Sequence, residues 1–174
     1  PLKVTKNHIS NGKARAVICN SGNANTCNAN GVEIAERMSD ILAETLGISA
    51  SDVVVASTGV IGQPLDITPI KNGIPELFAG LSEKGNEFAA EAIMTTDTVK
   101  KEVAVEFTLS GKKCRLGGMA KGSGMIHPNM ATMLVFITTD AAVSPEMLQK
   151  ALSGDIADTF NMISIDGDTS TNDM

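Results

Sequence analysis

The chain has 174 residues, 43% of them hydrophobic and 20% charged, with a formal net charge of −6. That length suits one domain of ordinary size, and the apolar fraction supports a packed core rather than general disorder. The negative balance argues against a protein that grips nucleic acid or an anionic membrane through bulk charge.

Trp and Tyr are absent and only five Phe occur, so no stacking platform for bases is evident. No apolar run approaches the roughly 18 residues of a membrane span. The start, Pro1-Leu2-Lys3-Val4, lacks a basic region followed by an apolar one, so no signal peptide is expected. The missing initiator Met points to a true start upstream. Cys19, Cys27 and Cys114 form no CxxC pair, which fits a reducing, cytoplasmic setting better than a disulfide scaffold or a zinc site.

In chain order, Arg15 to Cys19 is a short apolar run between Asn11-Gly12 and Asn20-Ser21-Gly22-Asn23, and reads as a buried strand between turns. Asn30-Gly31 precedes a helix from Val32 to Leu46, with Ile34, Met38, Ile41, Leu42 and Thr45 at three-and-four spacing. Gly47 stands where a left-handed cap is expected. Val53 to Ala56 is a second β-branched run, followed by Ser57-Thr58-Gly59-Val60-Ile61-Gly62.

A helical region broken by Pro69 and Pro75 is predicted over about 67–81. Another helix is predicted from Glu83 to Met94, with Phe88, Ala89, Ala92 and Ile93 on one face. Val103 to Leu109, the basic turn Ser110-Gly111-Lys112-Lys113 and the run from Cys114 read as a hairpin. After a Gly-rich stretch, Met130 to Thr139 is expected to be a central strand. Ser144-Pro145-Glu146 starts a helix, with Ser at the cap and Pro just inside, that extends towards Phe160. Ile163-Ser164-Ile165 reads as a last short strand. Strands and helices alternate without a dinucleotide-binding fingerprint, so the expected class is α/β or α+β.

The most unusual stretch runs from Gly117 to Met133: four glycines, Lys121, and a His127-Pro128-Asn129 turn leading to Thr132. A Walker-type phosphate loop is a poor fit, because Lys121 precedes Gly122 rather than following it. A hydroxyl within an apolar strand ordinarily bonds a neighbouring carbonyl, and that is the plain reading of Thr132. The functional reading is a nucleophile exposed as a new N-terminus, where its own α-amine serves as base. This requires cleavage between Ala131 and Thr132.

Ser57-Thr58-Gly59 is either a strand-ending turn or a place where backbone N–H groups meet an oxyanion. Met94-Thr95-Thr96-Asp97-Thr98 offers hydroxyls that, by default, satisfy local backbone groups. Asp166, Asp168 and Asp173 lie in an oxygen-rich segment. They open a rival reading as a metal-dependent hydrolase, although Asp-Gly-Asp after a strand is ordinarily a tight turn. His8 and His127 read as surface and loop residues, and Cys19 and Cys27 as small core hydrophobes.

Taken together, Cys19 to Asn25, Ser57 to Gly62, Met94 to Thr98, Lys121 to Met133 and Asp166 to Asp173 resemble the ornithine acetyltransferase family of arginine biosynthesis, also called bifunctional glutamate N-acetyltransferase/amino-acid acetyltransferase. The resemblance is spread over nearly the whole chain in the family's order, and the Lys121 to Met133 block is its most specific part.

It implies a precursor that cuts itself between Ala131 and Thr132, giving an α-chain part (1–131) and the start of a β chain (132–174). Thr132 would then carry an acetyl group from N-acetylornithine to glutamate. Thr58 and Gly59 match the family's oxyanion-hole pair; Thr95, Lys121 and Thr132 match its substrate-contacting positions. The implied fold is a layered sandwich of β-sheets flanked by helices, usually assembled as α2β2. No metal or organic cofactor is implied, and acetyl-CoA is a possible co-substrate. Nucleic acid and membrane are not expected partners.

In the family the β chain continues well past the Asp-Gly-Asp segment. The chain is therefore expected to be an internal, truncated piece that requires the remainder of the β chain and is itself inactive. A non-catalytic folded fragment is the third reading.

Overall fold

A computed structural model describes residues 1–129 and 133–170. The described chain is mixed α/β and divides into two compact units, residues 1–93 and 94–170. The expected division at 131/132 concerns a covalent cut and lies outside the described residues.

The first unit opens with helix α1 (Leu2–His8), followed by strand β1 (Ala16–Asn20), helix α2 (Gly31–Leu46) and strand β2 (Val53–Ser57). The two strands are parallel, in register from Ala16 opposite Val53 to Asn20 opposite Ser57. Parallel neighbours need a crossover, and α2 supplies it. Met38, Ile41, Ala35 and Ala43 of α2 meet Ile18, Val53 and Val55 in one core, which Val4 and Ile74 complete. The helix ends as its sequence predicts: Gly47 takes φ +65°, and the Ile48 N–H returns to the Ala43 carbonyl at 3.1 Å.

Helix α1 was not foreseen from the sequence. It lies along the edge of β2 that β1 leaves uncovered. The Thr5 hydroxyl donates to the Val55 carbonyl (2.9 Å) and accepts from the Val55 N–H (3.0 Å). His8 Nδ1–H donates to the Val53 carbonyl at 2.8 Å. His8 is therefore a half-buried edge contact rather than a surface residue.

Helix α3 (Ile67–Ala79) runs unbroken through both prolines. Pro69 sits in the first turn, where a missing N–H is harmless, and Pro75 forfeits one bond within the helix. Asp66 caps the start by accepting from the Thr68 N–H at 2.9 Å. Helix α4 spans only Asn86–Ala92, because Ser82 turns the preceding chain by accepting from the backbone of Lys84 and Gly85. Of the expected face only Ile93, just after the helix, is buried; Phe88 is 73% exposed, and Ala90 turns inward instead.

The second unit is a three-stranded antiparallel sheet in the order β3 (Lys101–Leu109), β4 (Lys112–Lys121), β5 (Leu134–Thr139). A two-residue turn joins β3 to β4. Ser110 at φ 50° and Gly111 at φ 76° give the turn whose twist suits a tight hairpin. Lys112 and Lys113 already belong to β4, as do Gly117 and Gly118. The Gly-rich stretch is thus partly strand, and β4, not β5, is central.

Helix α5 (Pro145–Asp155) starts at Ser144, whose hydroxyl accepts from the Met147 N–H at 3.3 Å. It gives way to two short 3-10 turns, and Ile163-Ser164-Ile165 forms no strand. Among the described residues no helix is long and apolar enough to cross a membrane.

Candidate active site

The residues singled out from the sequence fall in both units. Thr58 and Gly59 belong to the first, Thr95 and Lys121 to the second, and Ala131 and Thr132 lie outside the described residues.

In the first unit, the Cys19–Asn25 and Ser57–Gly62 segments interlock at the carboxyl ends of β1 and β2. This is where open parallel sheets commonly place ligands. The Thr58 N–H donates to the Asn20 carbonyl at 2.8 Å, prolonging the ladder by one bond. Asn20 folds the next turn around its own side chain: Nδ2 donates to the Asn23 carbonyl (2.6 Å), and Oδ1 accepts from the Gly22 N–H (3.0 Å). The Ala24 N–H then reaches the Val60 carbonyl at 2.9 Å.

Thr58 is buried, and Gly59 takes φ +121° against Gly22. The Thr58 amide is committed to the Asn20 carbonyl. Cys19 is half-buried, as a small apolar residue should be, whereas Cys27 is exposed at φ 56° and is no core residue.

In the second unit, three separated segments converge. Lys121 is the last residue of β4, opposite Leu134, and is only 2% exposed. The chain then leaves the ladder, and the Gly122 N–H donates to Asp97 Oδ1 at 2.8 Å. The same carboxylate accepts from Lys101 Nζ and, through Oδ2, from the Thr95 N–H at 3.3 Å. The Thr96 and Ser123 hydroxyls meet at 2.6 Å. One carboxylate, Asp97, which the sequence reading passed over, thus ties the backbone of Thr95 to that of Gly122, the residue after Lys121. Its only sequence signal was a Lys four residues on.

Burial pushes the Asp97 carboxyl upward. Hydrogen bonds from Lys101, Gly122 and Thr95, together with the Lys101 charge, outweigh that and hold it below the ordinary carboxylate range.

Beyond Gly122, Asp166 accepts from the Met125 N–H (2.6 Å) and the Ile126 N–H (3.0 Å), and the Ile165 N–H donates to the Ile126 carbonyl (2.9 Å). The Met125 and Ile126 bonds, with a weaker one from Asp168, keep the Asp166 carboxyl below its ordinary value. Asp166 therefore clamps backbone through both of its oxygens. Among the described residues no group of three or more His, Cys, Asp or Glu could hold a metal ion, and Asp173 lies outside them. His127 is exposed, in keeping with a loop constituent.

A model described as the ArgJ family matches residues 1–174. The chain belongs to the ArgJ family. The "Arginine biosynthesis bifunctional protein ArgJ" of Bacillus anthracis is 52% identical, aligned over 100% of this chain and 43% of its own length. An ArgJ 1 of Nostoc is 51% identical over 92% of this chain and 39% of its own. The chain thus spans about two fifths of the length of these curated relatives.

The crystal structure of ArgJ from Bacillus halodurans superposes with a TM-score of 0.67 at 44% identity, covering 77% of this chain and 70% of that one. An ornithine acetyltransferase from Mycobacterium tuberculosis, solved in complex with ornithine, gives a TM-score of 0.68 at 35% identity. The match covers 74% of this chain and 69% of that one. The ArgJ fold, with its sheets flanked by helices, is the fold of this chain, and ArgJ proteins belong to arginine biosynthesis.

Proposed function

We propose that this ArgJ chain carries part of an enzyme that moves an acetyl group from N-acetylornithine to glutamate through an acetylated Thr132. The observation that carries the reading is the buried Lys121 ammonium, held at a strand end just upstream of Thr132 in a chain of the ArgJ family. A fixed ammonium shielded from water attracts a carboxylate far more strongly than a solvated one. Both amino-acid substrates carry such a group, and the Mycobacterium tuberculosis relative was solved with ornithine bound.

Thr132 Oγ attacks the Ala131 carbonyl carbon, its proton passing to the departing nitrogen, and water hydrolyses the resulting ester. Ala131 is left with a carboxylate and Thr132 with a free α-amine. That amine, as base, takes the Oγ proton while Oγ attacks the acetyl carbonyl of N-acetylornithine. The C–N bond breaks, and the proton passes to the departing ornithine amine. Glutamate's amine then attacks the acetyl ester and regenerates the Thr132 hydroxyl. Thr58 and Gly59 supply the oxyanion donors, and Thr95 and Lys121 hold substrate.

The reading includes a cytoplasmic α2β2 assembly with the remainder of the β chain. It calls for no metal or organic cofactor and allows acetyl-CoA as a second donor.

Thr132→Ala in the full-length polypeptide that carries this sequence is expected to leave one unsplit species by mass. Acetyl transfer in that variant should fall by on the order of 10³-fold or more, as for loss of a nucleophile. A variant that still splits at residue 132, or keeps normal turnover, defeats the proposal.

A further inference from the structure

Between Lys121 and residue 129 the chain forms no helix or strand, and Gly122 and Gly124 give it wide conformational freedom. Its course is set at both ends by carboxylates that the acetyl-transfer chemistry does not use. Near Lys121, the Asp97 side chain is fully buried and accepts from Gly122, Thr95 and Lys101 together. At the far end, Asp166 grips the successive N–H groups of Met125 and Ile126, with Ile126 buried beneath.

We propose that Asp97 and Asp166 are positioning residues for acetyl transfer. Asp97 fixes Thr95 relative to Gly122 and so to the strand end that carries Lys121, and Asp166 fixes Met125 and Ile126, a few residues before the cut in sequence. The proposal rests on the acetyl-transfer reading of this site.

The two staples act on different steps. Thr95 and Lys121 hold substrate, so loosening them weakens ground-state binding. The segment at 125–126 precedes by a few residues the bond that is cut, so loosening it slows the cut rather than weakening substrate binding. Asp166 is itself exposed, which lets its loss act on geometry more than on folding.

The test uses the full-length polypeptide carrying this sequence, with Asp97→Ala, Asp97→Asn, Asp166→Ala and Asp166→Asn, thermal midpoints being measured throughout. Asp97→Ala is expected to raise KM for glutamate by on the order of 10- to 100-fold, with complete self-cleavage. Asp166→Ala is expected to slow self-cleavage by a similar factor, with KM near wild type. Each Asn variant keeps an acceptor oxygen and should recover part of the loss.

Effects that change kcat, KM and cleavage in the same proportion, or no effect at all, overturn the positioning role. If the Ala variants do not fold, the amide-proton shifts of Gly122, Met125 and Ile126 in the wild type decide. They must titrate with the carboxylates, and shifts indifferent to acid overturn the staples. A wild type that transfers no acetyl group defeats the acetyl-transfer reading instead, whatever those amides show.

Discussion

A Cβ placed on Gly59 would stand 2.5 Å from the Gly22 carbonyl oxygen and 2.9 Å from the Asn23 nitrogen, and both obstacles are backbone. The residue also takes φ +121°, which side chains rarely adopt. Gly59→Ala is expected to destabilise the protein by about 2–4 kcal/mol, from backbone strain and overpacking combined. Gly47→Ala, with φ +65° but open space around it, should lose only about 1 kcal/mol. Urea midpoints of the two variants test the difference, and equal losses would show that Gly22 yields.

At this scale the sequence was informative where residue type and neighbours agree, as at Gly47 and the Ser144 cap. It was silent on Asp97, because an Asp among threonines looks like any loop residue until Gly122 is brought to it from 25 positions away. His8 misled for the same reason: its partner, the Val53 carbonyl, is 45 residues distant.

Among the elements, α1 shows how a helix can do the work of a strand. The backbone groups of Val53 and Val55 that face away from β1 would otherwise form an unpaired edge. Thr5 and His8 answer them from a helix, one turn apart. No periodicity announces this, since α1 buries only Val4 and Thr5, and neither its composition nor its length marks it as a core helix. Thr5→Val, which keeps shape but removes the hydroxyl, leaves a buried N–H and a buried carbonyl of Val55 without this partner. It is expected to cost about 1–3 kcal/mol, and Thr5→Ser much less. Equal melting temperatures for the Val and Ser variants would refute the edge-covering role.

The elements legible from their pattern, β1, α2 and β2, all contribute to one core. The β3–β4 hairpin was instead legible from its turn at Ser110-Gly111, its β3 apolar residues Val103, Val105 and Leu109 being exposed. Ile163-Ser164-Ile165 has the composition of a strand, but among the described residues its one backbone bond to another segment runs from Ile165 to Ile126; its remaining bond is local, from Ile163 to Phe160. A strand exists only where an edge receives it.

For the molecule as a whole, the proposed cut between Ala131 and Thr132 falls inside the second unit. It separates β3 and β4 from β5 along the chain, yet β4 and β5 are bonded from Leu116 opposite Thr139 to Lys121 opposite Leu134. Asp140 accepts from the Arg115 N–H at 2.7 Å, Asp166 holds Met125 and Ile126, and the Ile165 N–H reaches the Ile126 carbonyl, so several bonds besides the ladder bridge the cut. The pieces of the processed protein are expected to elute as one species in native buffer and to separate only in denaturant.

Acid should loosen them. The Asp166 carboxyl lies below its ordinary value when bound to these amides, so the bound state takes up fewer protons than the separated one. By linkage, its contribution is fully present above the unbound carboxylate value of about 4 and is lost as pH falls through the lower, bound value. The urea concentration that separates the pieces should therefore be lower at pH 3 than at pH 7. Asp166→Asn, which cannot ionise, should narrow that gap. A gap as wide in the Asn variant would place the acid sensitivity on other groups, and pieces that elute apart at neutral pH would show that β5 does not hold to β4 without the covalent link.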